Sequence, residues 1–394
     1  MKLIVNNQLC SIAEKVTEYK KELKNNHIFT ISSLDPLDSI ACYAAWKEVG
    51  GNILVKSPFL PKEQSEYIDQ KIKTYEYENS ISFLTSGTTG LPKIIVFTPK
   101  QLENILKLSE DVYNWNSSSS MLCIEAPTFS SGFWHLFVLP LVKHDAKIVF
   151  TSKETFLEDM NQHDVNGGLF VTPLLEQLRI SNVKIDFSKF DMIYTGASKL
   201  TEEISKYVFD QGGKCITNIY GSTESGTPIL NKRSYVDDEF IEYLEIKPNS
   251  IGSEFKLVDD ELWIKSPSIC ENAHECNYSD GWLKTGDLWE QHGNLIKFIG
   301  RISELVKVNG HKISLLLIER TTQEYSDLGE TLAKVNTKWG RDYVELFYTN
   351  KNSKIDKNKL KSIFEPFLSK HCIPRKYTYI ESIPRTALGK KIRW

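Results

Sequence analysis

The sequence has no long apolar run, no basic excess and no cysteine framework, and each absence removes a class of protein. No stretch of the 394 residues approaches the roughly 18 consecutive apolar residues that a membrane-spanning helix requires. The opening Met1-Lys-Leu-Ile-Val-Asn-Asn carries too short an apolar run for a secretory signal. A formal net charge of -3 lacks the Lys/Arg excess of a dedicated nucleic-acid binder. The lysines from Lys354 to Lys361 read as a solvated helix face. Seven cysteines, at positions 10, 42, 123, 215, 270, 276 and 372, are odd in number and scattered, unlike a disulfide framework. The expectation is a protein of the reducing cytoplasm, with neither membrane nor nucleic acid as a partner.

One cysteine cluster needs weighing. Cys270, His274 and Cys276, with His292 downstream, offer soft ligands, but the C-x3-H-x-C spacing lacks the paired C-x2-C geometry of a zinc site. A polar surface loop is the better reading.

What remains is an ordinary globular composition, 41% hydrophobic and 25% charged. The length allows two or three domains at roughly 100–200 residues each. From residue 27 onward, short apolar runs alternate with helical segments, the pattern of a parallel sheet with crossover helices. Strands are predicted at His27–Ser32, Ile81–Thr85, Lys93–Thr98, Met121–Ala126, Lys147–Phe150, Gly168–Thr172, Asp191–Tyr194 and Cys215–Ile219. Helices are predicted at Pro99–Tyr113 and Thr201–Asp210. After about residue 228 a hairpin is expected around Asp259-Asp260. The last ninety or so residues read as a small α+β unit: a hairpin at Asn309-Gly310, a helix from Leu315, a strand at Val344–Tyr348, a helix near Lys357–Leu368 and a strand near Tyr377–Ile380.

Five segments carry chemistry. Thr85-Ser-Gly-Thr-Thr-Gly-Leu-Pro-Lys93 lies between two predicted strands. Gly87 and Gly90 let the backbone approach a ligand, and the hydroxyls of Thr85, Ser86, Thr88 and Thr89 with Lys93 suit a polyphosphate. It is not G-x-x-x-x-G-K-[ST], because a proline precedes the lysine and isoleucine follows it, so a P-loop kinase or GTPase fits poorly. A Ser/Thr-rich hairpin turn is the plainer alternative. Ile219-Tyr-Gly-Ser-Thr-Glu224 offers a ring face at Tyr220, a hydroxyl at Thr223 and a hard oxygen ligand for Mg²⁺ at Glu224. Asp280-Gly-Trp-Leu-Lys-Thr-Gly-Asp287 places a carboxylate after a tight turn, Phe298-Ile-Gly-Arg301 supplies a guanidinium, and Pro384-Arg-Thr-Ala-Leu-Gly-Lys390 sets a lysine behind a glycine. Each alone has a bland reading as a turn, a surface ion pair or a basic tail.

Together, in this order, they resemble the adenylate-forming superfamily of acyl-CoA synthetases, peptide-synthetase adenylation domains and beetle luciferases, from about residue 80 to residue 393. The resemblance implies an α/β fold: a large N-terminal domain of mixed and parallel sheets with helices and a small antiparallel subdomain, then a small mobile α+β domain. It implies residues 1–301 as the ATP- and acid-binding domain, 302–304 as the hinge, and 305–394 as the C-terminal domain. The Thr85–Lys93 loop, Ser86 through Gly90 included, would orient the ATP phosphates. Gly196, Ala197 and Ser198, in Tyr194-Thr-Gly-Ala-Ser198, would lie against adenine, with Asn218, Tyr220 and Gly221 beside them. Thr223 would bind the α-phosphate, Glu224 would hold Mg²⁺, Asp287 would bind ribose with Arg301 near it, and Lys390 would bridge the carboxylate and α-phosphate. The hinge would be Ile302-Ser303-Glu304, where Ser303 departs from the usual Asp or Lys. The hairpin Lys307-Val-Asn309-Gly310-His311 would line a thiol tunnel.

The implied activity is ATP-dependent formation of an acyl-AMP with pyrophosphate release, then thioester formation with CoA. Loading of the phosphopantetheine arm of a carrier protein and a non-catalytic nucleotide-binding homologue are the alternatives. No His/Asp dyad stands out, as expected when the reacting carboxylate is already ionised at neutral pH. The acid pocket would be lined by Phe129, Ser130, Gly132, Phe133, Trp134, Thr195, Ser222, Gly226 and Thr227. Ser130 stands where amino-acid-activating domains place an aspartate, so an aryl or medium acyl acid is expected. The phosphate loop arrives early in the chain, which predicts an abridged N-terminal region and, to cover an exposed apolar face, a homodimer.

Overall fold

The computed structural model describes residues 2–5, 8–85, 91–113, 115–124, 144–152, 154–239, 241–302, 305–309, 311–325, 327–353, 355–365, 368, 370, 372–384 and 391. The chain divides into two compact units. The first comprises Met1–Val258, Trp263–Thr285 and Gln291–Lys297, and the second Asp259–Leu262, Gly286–Glu290 and Phe298–Trp394.

In the first unit, β1 (Lys2–Val5) and β2 (Gln8–Cys10) precede helix α1 (Ala13–Asn25). There follow β3 (Phe29–Ile31), α2 (Pro36–Val49), β4 (Asn52–Val55), α3 (Lys62–Lys71), β5 (Ser80–Thr85), β6 (Lys93–Phe97) and α4 (Pro99–Val112). Strands β3, β4 and β5 pair in parallel and β6 closes the sheet antiparallel to β5. Helix α2 starts where the Asp35 carboxylate accepts the Leu37 amide at 2.9 Å with Pro36 in the first turn. Both features suit a helix N-terminus.

The large sheet adds β7 (Ser120–Cys123), β8 (Lys147–Phe150), β9 (Gly167–Leu169), β10 (Met192–Thr195) and β11 (Cys215–Tyr220). Helices α5 (Phe156–Gln162), α6 (Thr172–Ile180) and α7 (Glu202–Phe209) connect the last four strands. Its parallel part runs β1-β8-β7-β9-β10-β11. Successive residues serve opposite cores: Met121, Cys123, Ile148, Phe150 and Tyr194 pack on one side. Leu122, Val149, Ile193 and Ile216 pack on the other. Burial on both faces is why these strands are continuous apolar runs in the sequence. Pairing turns antiparallel at β12 (Leu230–Tyr235), whose Lys232 lies opposite Asn218.

The sheet continues through β13 (Leu244–Glu245), β14 (Glu254–Val258), β15 (Glu261–Lys265), β16 (Tyr278–Ser279), β17 (Trp282–His292) and β18 (Leu295–Arg301). The division between units cuts β15, β17 and β18. Asp259 and Asp260 both take positive φ, 50° and 64°, the conformation of a two-residue hairpin turn.

In the second unit, β19 (Leu305–Val308) and β20 (His311–Ser314) form an antiparallel hairpin before α8 (Leu315–Tyr325). Then β21 (Thr331–Lys338) and β22 (Arg341–Tyr348) pair antiparallel. After α9 (Lys357–Phe364), β23 (Lys376–Tyr379) joins β22 in parallel. Val308, Ile313, Ile318, Leu346 and Phe364 form part of this unit's core. The expected α+β unit is present, with β21 as a strand that the sequence reading did not contain. Among the described residues no helix is long and apolar enough to cross a membrane.

Helices α1 and α2 are tied by charge. Lys15 reaches Asp35 at 3.2 Å and also bonds Asp38, while the Tyr19 hydroxyl donates to Asp38 at 2.7 Å. Burial alone would raise the Asp38 carboxyl, but hydrogen bonds from Lys15, Ser33 and Tyr19 hold it below its ordinary value. A depressed carboxyl stabilises the fold above its unfolded pKa, and that contribution is lost as pH falls through the folded value. Lys15→Met is therefore expected to cost about 1 kcal/mol or less at pH 7, the range of a partly exposed pair. The gap in thermal midpoint from the parent should close below about pH 4. A gap that stays constant from pH 7 to pH 3 would show that the pair contributes nothing through charge.

Candidate functional site

Two loops leave neighbouring parallel strands at the same edge. Strand β10 pairs with β11 through Tyr194↔Thr217 and Thr195↔Asn218, so Gly196–Ser198 and Gly221–Glu224 emerge side by side. The carboxyl ends of parallel strands are where open α/β sheets bind ligands. Gly196 is there because nothing larger fits: a Cβ would lie 2.7 Å from the Ile219 carbonyl oxygen and 2.9 Å from Ile219 Cγ1. Ala197 follows with φ of 68°.

The turn is held by Thr172, which the sequence reading did not single out. Its amide donates to the Gly196 carbonyl at 3.0 Å. Its buried hydroxyl donates to the Gly196 and Ser198 carbonyls at 2.9 and 3.2 Å and lies 3.1 Å from Thr195 Oγ1. A threonine before Pro173 at a helix start was the available signal.

The second loop is braced within itself and from outside. A Cβ on Gly221 would meet Thr227 Oγ1 at 2.8 Å. The Ser222 amide donates to Ser225 Oγ at 3.0 Å and the Ser225 amide to Ser222 Oγ at 3.2 Å. Thr227 Oγ1 donates to the Ser222 carbonyl at 3.2 Å, and Ser268 Oγ to the Ser225 carbonyl at 2.7 Å. Gly226 has φ of 70° and Thr227–Pro228 is cis. The Thr223 carbonyl accepts the Gly226 amide at 3.3 Å, and the Tyr220 carbonyl the Ile229 amide at 2.8 Å. The Glu224 carbonyl accepts the Cys270 amide at 2.9 Å.

Cys270 corrects the sequence reading: its segment is no polar surface loop. Cys270 and Asn272 are buried. Asn272 Nδ2 donates to the Ile94 carbonyl at 2.7 Å, and Asn272 Oδ1 accepts the Val96 amide at 2.9 Å. The segment thereby joins β6, which begins at Lys93, to Glu224. The Cys270 thiol is pushed up by its hydrogen bond with Cys276 and by burial. Cys276 is held lower by that bond, with Lys93 contributing. Among the described residues no group of three or more His, Cys, Asp or Glu side chains is placed to hold a metal.

Thr85 and Lys93 are paired at the open ends of β5 and β6, and Ser86, Gly87, Thr88, Thr89 and Gly90 between them lie outside the described residues. Thr85 Oγ1 is buried without a hydrogen-bond partner among the described residues. Of the expected acid pocket, Phe129, Ser130, Gly132, Phe133 and Trp134 lie outside the described residues. Thr195 is fully buried with its hydroxyl against Thr172, while Ser222 and Thr227 are half-buried.

In the second unit the structure brings Asp287 and Arg301 together. Arg301 Nε lies 2.8 Å from Asp287 Oδ1, with the carboxylate side chain 2% exposed and the guanidinium side chain 51%. The contact is an ion pair set off the hydrogen-bonding direction. The preceding Gly286 has φ of 70° and its amide donates to Glu261 Oε1 at 2.8 Å. In the β19–β20 hairpin Lys307 lies opposite Lys312, and Val308 opposite His311. Asn309, at φ of 48°, braces the tip. Its Nδ2 donates to the Asp342 carbonyl at 2.7 Å and its Oδ1 accepts the Asp342 amide at 3.2 Å. Lys307 and His311 are exposed. Ser303, Glu304, Gly310 and Lys390 lie outside the described residues.

The approach of Gly196 to a backbone carbonyl gives a direct test. In Gly196→Ala the β10–β11 edge must part, which is expected to cost about 1–3 kcal/mol. The affinity for ATP, the cofactor expected from the sequence, should weaken along with the thermal midpoint when read by calorimetry. An alanine variant with parent stability and parent affinity would show that the close packing does not matter.

The family model described as AMP-binding enzyme matches residues 21–269. Over 342 residues the chain is 24% identical to the indoleacetate–CoA ligase of Aromatoleum aromaticum, matching 78% of this chain and 64% of that one. It is 27% identical over 364 residues to the 2-succinylbenzoate–CoA ligase of Listeria monocytogenes, covering 81% of this chain and 70% of the relative. The chain thus spans less than two thirds of the first of these relatives, and only 9% of surfactin synthase subunit 1 of Bacillus subtilis, to which it is 23% identical. Its fold is similar to that of ATP-bound MatB from Rhodopseudomonas palustris, with a TM-score of 0.80, 15% identity, and coverage of 99% of this chain and 93% of that chain. The match of the family model over most of the first unit leads to one assignment: the chain belongs to the AMP-binding enzyme family.

Proposed function

We infer that this chain activates a small carboxylic acid with ATP, releasing pyrophosphate, and passes the acyl group of the resulting acyl-AMP to the thiol of CoA, with AMP as the leaving group. The observation that carries the reading is the pair of loops, Gly196–Ser198 and Gly221–Glu224, leaving adjacent parallel strands and braced by buried threonine and serine hydroxyls. Gly196, Ala197 and Ser198 with Asn218, Tyr220 and Gly221 form the adenine site, and Thr223 binds the α-phosphate. Asp287 takes the ribose, and Thr85 with Lys93 frames the loop that orients the remaining phosphates.

The chemical obstacle is the approach of one anion to another. Lys390 and Arg301 offset the charge that builds on the α-phosphoryl oxygens as the carboxylate attacks. The Glu224 carboxylate is half-buried and takes no hydrogen bond or ion pair from a described residue. A lone carboxylate suits Mg²⁺, which keeps waters and bridges to substrate phosphates. Magnesium bound there would supply further positive charge at the phosphates.

For the second step, a turn about residues 302–304 withdraws Lys390 and presents Lys307, Asn309, Gly310 and His311 to the thiol. The relatives named for indoleacetate and 2-succinylbenzoate support an aryl acid. A carrier-protein phosphopantetheine arm is the other acceptor of the same chemistry. Seven scattered cysteines, odd in number, suit a cytoplasmic setting, and a homodimer is the expected assembly.

Acid-dependent ATP–pyrophosphate exchange across a panel of carboxylic acids tests the first step, and thioester detection with CoA or a carrier protein the second. Exchange with at least one aryl or medium acyl acid is expected, and silence across the panel would sink the reading. Lys390→Ala should lower exchange roughly 10²–10³-fold, as for loss of one transition-state donor, while still converting a supplied acyl-adenylate to thioester. Equal loss of both steps would contradict the two-conformation scheme.

A further inference from the structure

The chain ends its chemistry-bearing motif with two lysines in a row, Lys390 and Lys391, and the second is accounted for. Lys391 Nζ donates to the Thr331 carbonyl at 2.6 Å and lies 3.4 Å from Glu319 Oε2. Glu319 projects from α8 and is 1% exposed. Its other oxygen, Oε1, accepts the Ala333 amide at 2.8 Å, and the Glu319 carbonyl accepts the Thr331 hydroxyl at 3.2 Å. The ammonium of Lys391 is thus wedged between α8 and the start of β21, with its side chain 20% exposed.

Burying an ion pair is a poor route to stability, because desolvation offsets most of the attraction. Apolar packing at position 391 would hold the chain as well. What the pair adds is direction. An aliphatic side chain tolerates sliding, whereas an ammonium with two fixed acceptors specifies one register, and a slip of one residue would exchange Lys390 for Lys391.

We propose that Glu319 is a positioning residue that sorts the two lysines: it captures Lys391 as an internal anchor and so leaves Lys390 as the lysine that meets the acyl carboxylate and α-phosphate. The proposal rests on the role assigned to Lys390 above. Because the anchor serves only the lysine, it bears on acyl-AMP formation and not on the thiol step.

The full chain is assayed as parent, Glu319→Gln, Lys391→Met and Lys391→Arg. Glu319→Gln keeps an acceptor for the Ala333 amide and is the variant least able to disturb folding. Both Glu319→Gln and Lys391→Met should lower kcat for ATP–pyrophosphate exchange roughly ten- to a hundredfold, as expected for a misplaced reacting group. The KM for ATP should stay within about twofold, since Lys390 acts only as the carboxylate attacks. Thioester formation from a supplied acyl-adenylate should keep its parent rate, and Lys391→Arg should retain most of the exchange activity. Parent-like exchange in both neutralising variants, or proportional loss of the two steps with a lowered thermal midpoint, overturns the sorting role. If Lys390→Ala leaves exchange intact, the assignment of Lys390 fails instead, and the two failures are told apart by which variant is silent.

Discussion

The close approach of Gly196 to the Ile219 carbonyl, 2.7 Å from where a Cβ would stand, is the constraint on which the first unit's site rests. It permits β10 and β11 to pair in parallel as far as Thr195 and Asn218, so their loops share one edge. The two cores keep those strands from shifting, because alternate residues fill opposite sides of the sheet. At the edge, carbonyls lose their sheet partners and would be buried unpaired. Thr172 satisfies those of Gly196 and Ser198, and Ser268 that of Ser225. Packing thus fixes where the loops begin, and buried hydroxyls fix the path they take.

The charges have a different logic. A reaction between anions needs cations, yet a cation already neutralised does little for a substrate. Asp287 is almost wholly buried and lies beside Arg301, but the guanidinium side chain is about half exposed. The pair therefore holds a carboxylate in the interior beside a guanidinium side chain that stays about half exposed. Glu224 shows the converse arrangement: its carbonyl accepts the Cys270 amide, and its half-buried carboxylate takes no hydrogen bond or ion pair from a described residue.

How much of this was legible follows from what each residue's role depends on. Strands such as Lys147–Phe150 matched their expected bounds because burial on both faces leaves an uninterrupted apolar run. Thr331–Lys338 was missed because Lys334, Asn336, Thr337 and Lys338 interrupt its apolar pattern and full burial is confined to its first three residues. The glycine motifs were visible because local backbone geometry demands them. Thr172 and Asn272 were not, since their partners, Gly196 and Ile94, are remote in sequence. The Cys270–Cys276 segment was read as a polar surface loop because its C-x3-H-x-C spacing lacks the geometry of a zinc site. Yet Asn272 is spent on β6, and Glu275 accepts from Lys71 at 2.8 Å and Tyr75 at 2.7 Å. Polar composition signals exposure only while the polar groups lack internal partners.

The C-terminal lysines extend the same reasoning. In sequence, Lys390 and Lys391 are equivalent donors, and a motif match alone chooses between them. The second unit distinguishes them by cost: an ammonium brought against α8 and β21 must find a counter-charge or lose it. Glu319 and the Thr331 carbonyl provide for one such group, and a second at the same place would meet repulsion without a partner. A buried ion pair contributing little net stability thereby gains a use, because it makes one register of a lysine-rich segment far better than the next. The same device that is inefficient for holding a fold together is efficient for deciding which of two identical side chains is left to act.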